Sequence, residues 1–238
     1  MNNRPLISVV VAAYNEEEYL PRCLTAVTSQ NFPKEEYEIV VVDNNSTDKT
    51  AEIAKSFGAR VIREEKQGNT YAISRGMNEA KGEIIANTDA DTVVAPDWLS
   101  RIKEIFEDPK VVAATGTANM DTGNRFFNWL SGDFYEGFLK FNFLLGKTHI
   151  TGFNMVVRRS AFEKIGGINE KFTMSSDVDL GLRMGKVGKV VLSSKLKATT
   201  SVRRWESSPL STLFAYFKSY IYVVWLRKPP PVKQNVVR

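Results

Sequence analysis

The chain has 238 residues, of which 43% are hydrophobic and 25% are charged, and its formal net charge is +5. This length can bury one large core, and this composition is ordinary for a soluble globular protein. No block of lysine and arginine is long enough to indicate nucleic-acid binding. The single cysteine, Cys23, excludes an internal disulfide. Together with the lack of a signal peptide, this favours a reducing compartment, so we expect a cytoplasmic protein.

The first half of the sequence alternates apolar runs with amphipathic segments. Strand-like runs occupy residues 7–13, 38–43, 59–62 and 84–86, and helical patterns lie between them. This alternation predicts an α/β fold with a mostly parallel, doubly wound sheet and right-handed crossovers. Further strands are expected at 111–116, 151–157, 189–192 and 198–202.

Three of the predicted strands end in polar residues, at 14–16, 43–45 and 89–91. Because parallel strands bring their carboxyl ends to one edge of the sheet, we expect these residues to line one crevice. The crevice carries carboxylates, but the sequence has neither a Gly-x-Gly-x-x-Gly loop nor a Gly-Lys-Ser/Thr loop for phosphate. A diphosphate bound there would have to be held by a metal ion.

Asp89 and Asp91 are the strongest candidates for the ligands of that metal ion. In an extended chain, positions i and i+2 point to the same side, so the two carboxylates would repel each other unless a cation lies near them. A divalent ion such as Mn²⁺ or Mg²⁺ fits this requirement and keeps positions open for phosphate oxygens. The alternative is that both aspartates cap a helix that begins near Asp97.

Two segments of the second half are unusually apolar. The aromatic stretch 125–145 has helical spacing, which fits either a core helix or a helix at a membrane surface. The tail 210–226 is short for a membrane span, but its tyrosines, its tryptophan and the flanking Arg227 and Lys228 are typical of an interfacial helix. Docking onto the domain and a homodimer contact are the alternatives. His149 is expected to be structural or solvent-facing rather than a metal ligand.

Asp177 and Asp179 fall in the first turn of a predicted helix, where the helix dipole favours carboxylates. Capping would explain one of them. With these segments, the chain resembles the family-2 inverting glycosyltransferases of the GT-A fold from Ile7 to Trp205. Four segments carry the resemblance in the family's order: Val9-Val10-Val11-Ala12-Ala13-Tyr14-Asn15-Glu16, the stretch 39–48 (Ile-Val-Val-Val-Asp-Asn-Asn-Ser-Thr-Asp), Asp89-Ala90-Asp91, and Asp177-Val178-Asp179-Leu180 with Arg183.

The resemblance implies a role for each matching residue on the donor side. Ala13, Tyr14 and Glu16 would lie against the nucleoside of a UDP-type or GDP-type sugar donor. Asp43 would accept a hydrogen bond from the base, and Asp89 would contact the ribose or a metal-bound water.

The resemblance also implies how the reaction would run. Asp91, with Asp89 beside it, would ligate the divalent metal on the diphosphate, and Asp177 would be the general base. Arg203 and Arg204 would assist the departing diphosphate or hold a phosphate of the acceptor.

The acceptor side is less defined. We expect Asn154 and Trp205 there, with a glycan or lipid-linked acceptor and peripheral contact at the cytoplasmic face of a membrane. The expected organisation is one GT-A domain over 1–208, with a nucleotide-binding half to about residue 95, followed by an amphipathic helix and proline-rich tail over 209–238.

Two departures from the family's pattern stand out. The residue before the expected base is Ser176 instead of glutamate, and Ser201 replaces the glutamine of the Gln-x-x-Arg-Trp motif of processive members. With no multi-span transmembrane region in the sequence, we expect a non-processive enzyme. Two other functions compete with it: a non-catalytic nucleotide-sugar-binding relative, and a nucleotidyltransferase. The second normally has a basic, glycine-rich loop after the first strand, which the Tyr14–Glu16 segment is not.

Overall fold

The computed structural model describes residues 4–120, 132, 135–201, 203 and 209–231. Within these residues eight strands form one sheet, in the order β3-β2-β1-β4-β7-β6-β8-β5. The strands are β1 (Ile7–Ala13), β2 (Tyr37–Asp43), β3 (Arg60–Arg63), β4 (Ile84–Asp89), β5 (Thr92–Val94), β6 (Val111–Met120), β7 (Met155–Arg158) and β8 (Lys189–Thr200).

Helices cover the sheet and connect its strands. They are α1 (Leu20–Thr28), α2 (Thr50–Ser56), α3 (Asn69–Glu79), α4 (Trp98–Phe106), α5 (Tyr135–Leu144), α6 (Arg159–Lys164), α7 (Ser176–Met184) and α8 (Pro209–Tyr220). Short 3₁₀ turns occur at Lys34–Glu36 and Gly152–Asn154, and α8 runs into a π-helical turn at Ile221–Trp225.

The sheet confirms the predicted α/β class, with a parallel part and a mixed part. Strands β3, β2, β1 and β4 are parallel neighbours. Strand β7 is antiparallel to both β4 and β6, whereas β6 and β8 are parallel. The short edge strand β5 pairs antiparallel with β8 and lies outside the sequence prediction. The two strands expected at 189–192 and 198–202 are one continuous strand, β8, which ends at Thr200.

Apolar side chains fill both faces of the sheet. One layer packs α1 and α4 against the sheet, and the other packs α3 and α6 against it. Helix α3 approaches β1 closely because residue 76 is glycine. A Cβ atom there would lie 2.5 Å from a methyl carbon of Val10 and 2.7 Å from one of Val42. Cys23 is buried in the first layer, as expected for a small apolar side chain.

A third, smaller cluster joins the C-terminal segment to the rest. Val223 and Val224 pack against Phe172 and against Val178 and Leu182 of α7. Helix α5 takes up the later part of the aromatic stretch, and residues 125–131, 133 and 134 lie outside the described residues. In the described part of the chain, we find no helix that combines the length and the apolar character needed to cross a membrane.

Candidate active site

The polar strand ends do meet at one edge of the sheet. In the pairing register, Ala12 of β1 lies opposite Asp89 of β4, and Ala13 lies opposite Asp43 of β2. Strand β4 ends at Asp89, and Asp91 lies in the short turn before β5. Because β5 separates this turn from α4, which begins only at Trp98, capping of that helix does not account for the two aspartates.

Hydrogen bonds between loops hold this edge together. Asn15 has a left-handed backbone conformation with φ of 53°, and its side-chain oxygen accepts a 2.8 Å bond from the amide of Thr47. The amide of Glu16 donates to Thr50 Oγ1 at 2.8 Å. Asp43 Oδ1 accepts the amide of Ser46 at 3.0 Å. The loops after β1 and β2 are therefore fixed relative to each other before any ligand binds.

Asn44 is a positioning residue that the sequence reasoning missed. Its buried side chain donates to the carbonyls of Glu64 and Lys66, each at 2.9 Å, and accepts the amide of Gly68 at 2.7 Å. These bonds hold the segment before α3 against the end of β2. The available signal was a carboxamide directly after a buried strand, where such side chains commonly bond to nearby backbone.

Arg203 reaches across the sheet edge to two carboxylates. Its Nη2 atom lies 2.9 Å from both carboxylate oxygens of Glu16 and 3.0 Å from Oδ2 of Asp91. The guanidinium also covers the ring of Tyr19, with 4.0 Å between its central carbon and the ring centroid. One cationic nitrogen therefore bridges two acidic groups that the fold brings together.

The partly buried position of this cluster shapes its titration. Burial raises the pKa of Glu16, and the hydrogen bond and charge of Arg203 oppose that rise. For Arg203, burial acts to lower the pKa, but bonds to Glu16 and Asp91 outweigh it and the pKa is raised. The edge is thus built around one positive charge.

Asp177 lies in a different environment, at the start of α7. Its Oδ2 accepts the amide of Gly152 at 2.7 Å, and its Oδ1 accepts the amide of Val178 at 2.9 Å. Burial raises the pKa of Asp177, and these two amides offset the rise only in part. A carboxyl with a raised pKa accepts a proton more readily than an ordinary aspartate does.

Gly152 connects Asp177 to strand β4. While its amide bonds to Asp177, its carbonyl accepts a 2.7 Å bond from Nδ2 of Asn87 on β4, two residues before Asp89. The Oδ1 atom of Asn87 is buried and has no hydrogen-bond partner among the described residues. Asn87 was not singled out from the sequence, where it looks like an ordinary polar interruption of an apolar strand.

Asp179, the neighbouring acidic residue, has a structural role. Its Oδ2 forms a 2.7 Å ion pair with Nε of Arg183, one helical turn later. Arg183 in turn donates to the carbonyls of Ile165 and Gly167, which ties α7 to the end of α6. Of the two aspartates in the first turn of α7, only Asp177 bonds to the Gly152 segment.

Of the two residues expected on the acceptor side, Asn154 lies among the described residues and Trp205 does not. Asn154 is fully buried, accepts a 2.9 Å bond from the indole of Trp98 and donates a 2.8 Å bond to the carbonyl of Leu196. It connects strands within the fold, so we correct its assignment from acceptor contact to structural residue. Arg204 and Trp205 lie outside the described residues.

The single histidine is buried, not solvent-facing. His149 packs edge-on against the rings of Tyr135 and Phe138 and lies beside Tyr220. Its Nδ1 has no hydrogen-bond partner in the described part of the chain. Burial lowers the pKa of His149 to about 4. The same apolar surroundings, followed by the charge of Asp177, raise the pKa of Tyr135. The ring of His149 is therefore shielded from water.

A cavity of about 270 Å³ opens beside Arg203 and is lined by Asn15, Glu17, Glu18, Tyr19, Asp48 and Arg203. A larger one of about 470 Å³ lies near Tyr37, at the opposite edge of the sheet, where ligands of open α/β sheets do not bind. In the ranges that the structure describes, no three His, Cys, Asp or Glu side chains group closely enough to hold a metal by themselves.

Comparison with known families agrees with this geometry. Residues 8–166 match the model of glycosyl transferase family 2. The chain belongs to this family. Relatives include the glycosyltransferase AglE of Haloferax volcanii, 32% identical over 73% of this chain and 59% of its own length. A beta-monoglucosyldiacylglycerol synthase of Nostoc is 33% identical over 76% of this chain and 41% of its own length. The chain thus spans about half the length of these relatives.

Solved structures support the GT-A fold. A mannosyltransferase of Pyrobaculum calidifontis, solved with GDP-Man and Mn²⁺, superposes with a TM-score of 0.73 at 22% identity, covering 97% of this chain and 67% of its own. The TarS protein of S. aureus, solved with UDP-GlcNAc, gives 0.66 at 19% identity, covering 82% of this chain and 58% of its own. Both likenesses confirm the predicted architecture.

Proposed function

We propose that this protein is a metal-dependent, inverting glycosyltransferase that moves a sugar from a nucleoside-diphosphate sugar to an acceptor hydroxyl or phosphate. The observation that carries the proposal is the placement of two acidic groups with different surroundings. Asp91 lies at the sheet edge beside the guanidinium of Arg203, and Asp177 lies partly buried at the start of α7, joined to the same edge through Gly152.

The nucleoside would bind across the ends of β1 and β2. Ala13 and Tyr14 would lie against it, and Asp43, whose Oδ1 accepts from Ser46, would use its second oxygen for the base. Asp89 would face the ribose. UDP and GDP are the expected nucleotides, since a mannosyltransferase neighbour holds GDP-Man and the TarS neighbour holds UDP-GlcNAc.

The residues at the sheet edge fit a divalent cation. The position of Arg203 shows that this edge accommodates a positive charge. Its Nη2 lies within 3.0 Å of oxygens from Glu16 and Asp91. Hard cations prefer such oxygens and take remaining ligands from water and phosphate, which agrees with the absence of a three-residue cluster in the described ranges. When bound, the ion would neutralise charge on the departing diphosphate. Asp91 would hold it, assisted by Asp89.

Asp177 would take the proton from the acceptor hydroxyl as that oxygen attacks the anomeric carbon. The attack from the face opposite the diphosphate inverts the configuration. The raised pKa of Asp177 suits this role, since a stronger base removes the proton more readily. Arg203, freed from the carboxylates, would then move to the leaving diphosphate or to an acceptor phosphate.

We propose a lipid-linked acceptor, reached at the cytoplasmic face of a membrane. Support comes from relatives whose names state lipid substrates, a beta-monoglucosyldiacylglycerol synthase and a dolichyl-phosphate-sugar glucuronosyltransferase of Methanococcus voltae. The aromatic surroundings of Tyr135 and Phe138 beside α7 are compatible with an acceptor that carries an apolar chain.

The deciding experiment is a thermal-shift screen of UDP, GDP, CDP and dTDP, each with and without Mn²⁺ or Mg²⁺. A ligand that binds only the native state raises its apparent melting temperature. We expect a metal-dependent shift with one nucleotide, followed by turnover of the matching sugar donor and an inverted linkage by NMR. Metal-dependent binding without turnover on any lipid-linked acceptor would indicate a non-catalytic binding relative. Release of pyrophosphate from a nucleoside triphosphate would indicate a nucleotidyltransferase.

A further inference from the structure

Two neighbouring segments carry every strongly exposed large apolar side chain in the described ranges. Helix α5 and the residue after it expose three, helix α8 exposes three, and the end of the π turn exposes two. We call this set the apolar ridge; its members are Phe141, Leu144, Leu145, Leu213, Phe214, Phe217, Trp225 and Leu226. The exposed fraction reaches 85% at Leu144 and 66% at Phe214. Such concentration, as opposed to scattered exposure, marks a surface that meets an apolar partner.

The ridge is held on adjoining elements by specific contacts. The hydroxyl of Tyr220, at the end of α8, donates a 2.5 Å bond to Oδ1 of Asn142 on α5. The rings of Tyr220 and Phe138 lie 5.2 Å apart. Helix spacing also places Leu213, Phe214 and Phe217 on one side of α8. These contacts anchor the inner sides of both helices and leave their apolar outer sides exposed.

The charges around the ridge have one dominant sign. The segments 135–147 and 209–231 contain five lysines and arginines and a single acidic residue, Glu136, which is paired with Lys140 at 2.7 Å. The ammonium group of Lys147 lies 5.0 Å from the ring centroid of Trp225. Arg227 and Lys228 follow the ridge directly and are exposed.

We propose that the apolar ridge and its basic rim dock onto the surface of an anionic lipid bilayer. Exposed phenylalanine, leucine and tryptophan side chains enter the boundary between headgroups and acyl chains, and lysine and arginine pair with anionic headgroups. A protein partner that buried the same ridge would gain nothing from a rim of uncompensated positive charge unless it were acidic. A second copy of this chain carries the same charge and would repel it.

The ridge is also placed to serve the proposed reaction. Ser219 of α8 hydrogen-bonds to Ser175 at 2.7 Å, two residues before Asp177. Val223 and Val224 pack against Val178 on the same helix as Asp177. A bilayer beneath the ridge would therefore lie near the helix that carries the proposed base. This step rests on the proposed function, whereas docking itself does not.

Co-sedimentation with vesicles tests the docking without donor, metal or acceptor. We expect the wild-type chain to bind vesicles of phosphatidylcholine and phosphatidylglycerol, to bind phosphatidylcholine alone more weakly, and to lose affinity as salt is added. The double variant Phe214→Ser/Phe217→Ser should bind at least about tenfold more weakly to both vesicle types, because two apolar side chains no longer enter the lipid. Both positions are exposed, so an unchanged melting temperature confirms that the variant is folded.

A charge-matched pair of variants separates the rim from net charge. Arg227→Gln/Lys228→Gln should weaken binding to the anionic vesicles about thirtyfold, since each basic side chain near such a surface contributes about 1 kcal/mol. The control Lys55→Gln/Lys164→Gln removes the same charge from exposed positions on α2 and α6 and should change little. Equal losses of vesicle binding for both pairs of variants would show that Arg227 and Lys228 have no specific role in docking.

Two results would overturn the proposal as a whole. One is vesicle binding by Phe214→Ser/Phe217→Ser that equals that of the wild type. The other has two parts: the wild type does not bind vesicles, and it forms a dimer in sedimentation velocity. Phe214→Ser/Phe217→Ser dissociates that dimer. The ridge would then be a protein interface. Neither result depends on whether the chain transfers a sugar, so failure here and failure of the proposed function can be told apart.

Discussion

The two acidic groups of the site differ in what keeps them in place. At the sheet edge, Asp91 and Glu16 share the cationic Nη2 of Arg203, so one positive charge serves two carboxylates. At the start of α7, the Asp177 carboxylate accepts from backbone amides, and burial raises its pKa. Carboxyl groups that lie in different environments commonly have different roles. The first environment suits a cation site, and the second suits a base.

Of the groups compared, Asp177 is expected to give the largest effect. Asp177→Asn removes the proposed base but keeps a side chain of the same size, so turnover should fall about a thousandfold while the affinity for the nucleotide stays unchanged. Initial rates of transfer and calorimetric donor binding measure the two quantities separately.

Asp179→Asn is the matched control. It breaks the ion pair with Arg183, so we expect a lower melting temperature but a rate within a few-fold of the wild type. If the Asp179 variant lost turnover and the Asp177 variant kept it, the assignment of the base would be reversed.

At the sheet edge, we expect Asp91→Asn to abolish metal-dependent donor binding. The carboxamide lacks the charge that a hard cation prefers, so the affinity for UDP or GDP in the presence of Mn²⁺ should fall about a hundredfold, and the metal-free affinity should not. Isothermal calorimetry with and without metal distinguishes these contributions.

Asp97→Asn, at the start of α4 and ion-paired to Arg101, serves as the comparison at a partly exposed position. It should leave both affinities unchanged. A metal effect that persists in the Asp91 variant would place the ion on other residues.

The burial of His149 can be measured through its titration. Its pKa of about 4 lies below the ordinary 6.5, so the unfolded chain binds the proton first and stability is lost as the pH falls through this window. Between about pH 7.5 and about pH 5 the loss attributable to His149 should be about 2 kcal/mol.

His149→Phe removes this titration and the unpaired Nδ1 while keeping a ring among the aromatic neighbours. Urea unfolding of both proteins at each pH gives the comparison, and the difference between them cancels the contributions of Asp177 and Glu16, whose raised pKa values act with the opposite sign. Parallel pH dependences would mean that His149 is hydrated.

The sequence predicted the strands and where they end, but not the contacts between distant residues. Alternating apolar runs predicted the parallel strands, and polar residues after them predicted the edge where Asp43 and Asp89 meet, because strand direction fixes where ends lie. Contacts between distant residues were not predictable in this way. The bonds of Asn44 and Asn87, and the burial of Asn154, depend on which loop lies beside each side chain. The resemblance to a family identified Asp177, but only the fold separates it from Asp179.

The smallest expected effect tests whether Arg203 stands where the cation would bind. Its Nη2 contacts oxygens of both Glu16 and Asp91, so an incoming ion has to displace it. Arg203→Gln should therefore raise the affinity for Mn²⁺ in the absence of nucleotide, by about tenfold, since a competing charge worth about 1.4 kcal/mol is removed. Electron paramagnetic resonance of free Mn²⁺ measures this directly. Arg22→Gln, an exposed position on α1, controls for the change in net charge. A weaker affinity in the Arg203 variant would mean that the guanidinium helps to hold the ion's ligands in place, and Asp91 would then not hold a cation without it.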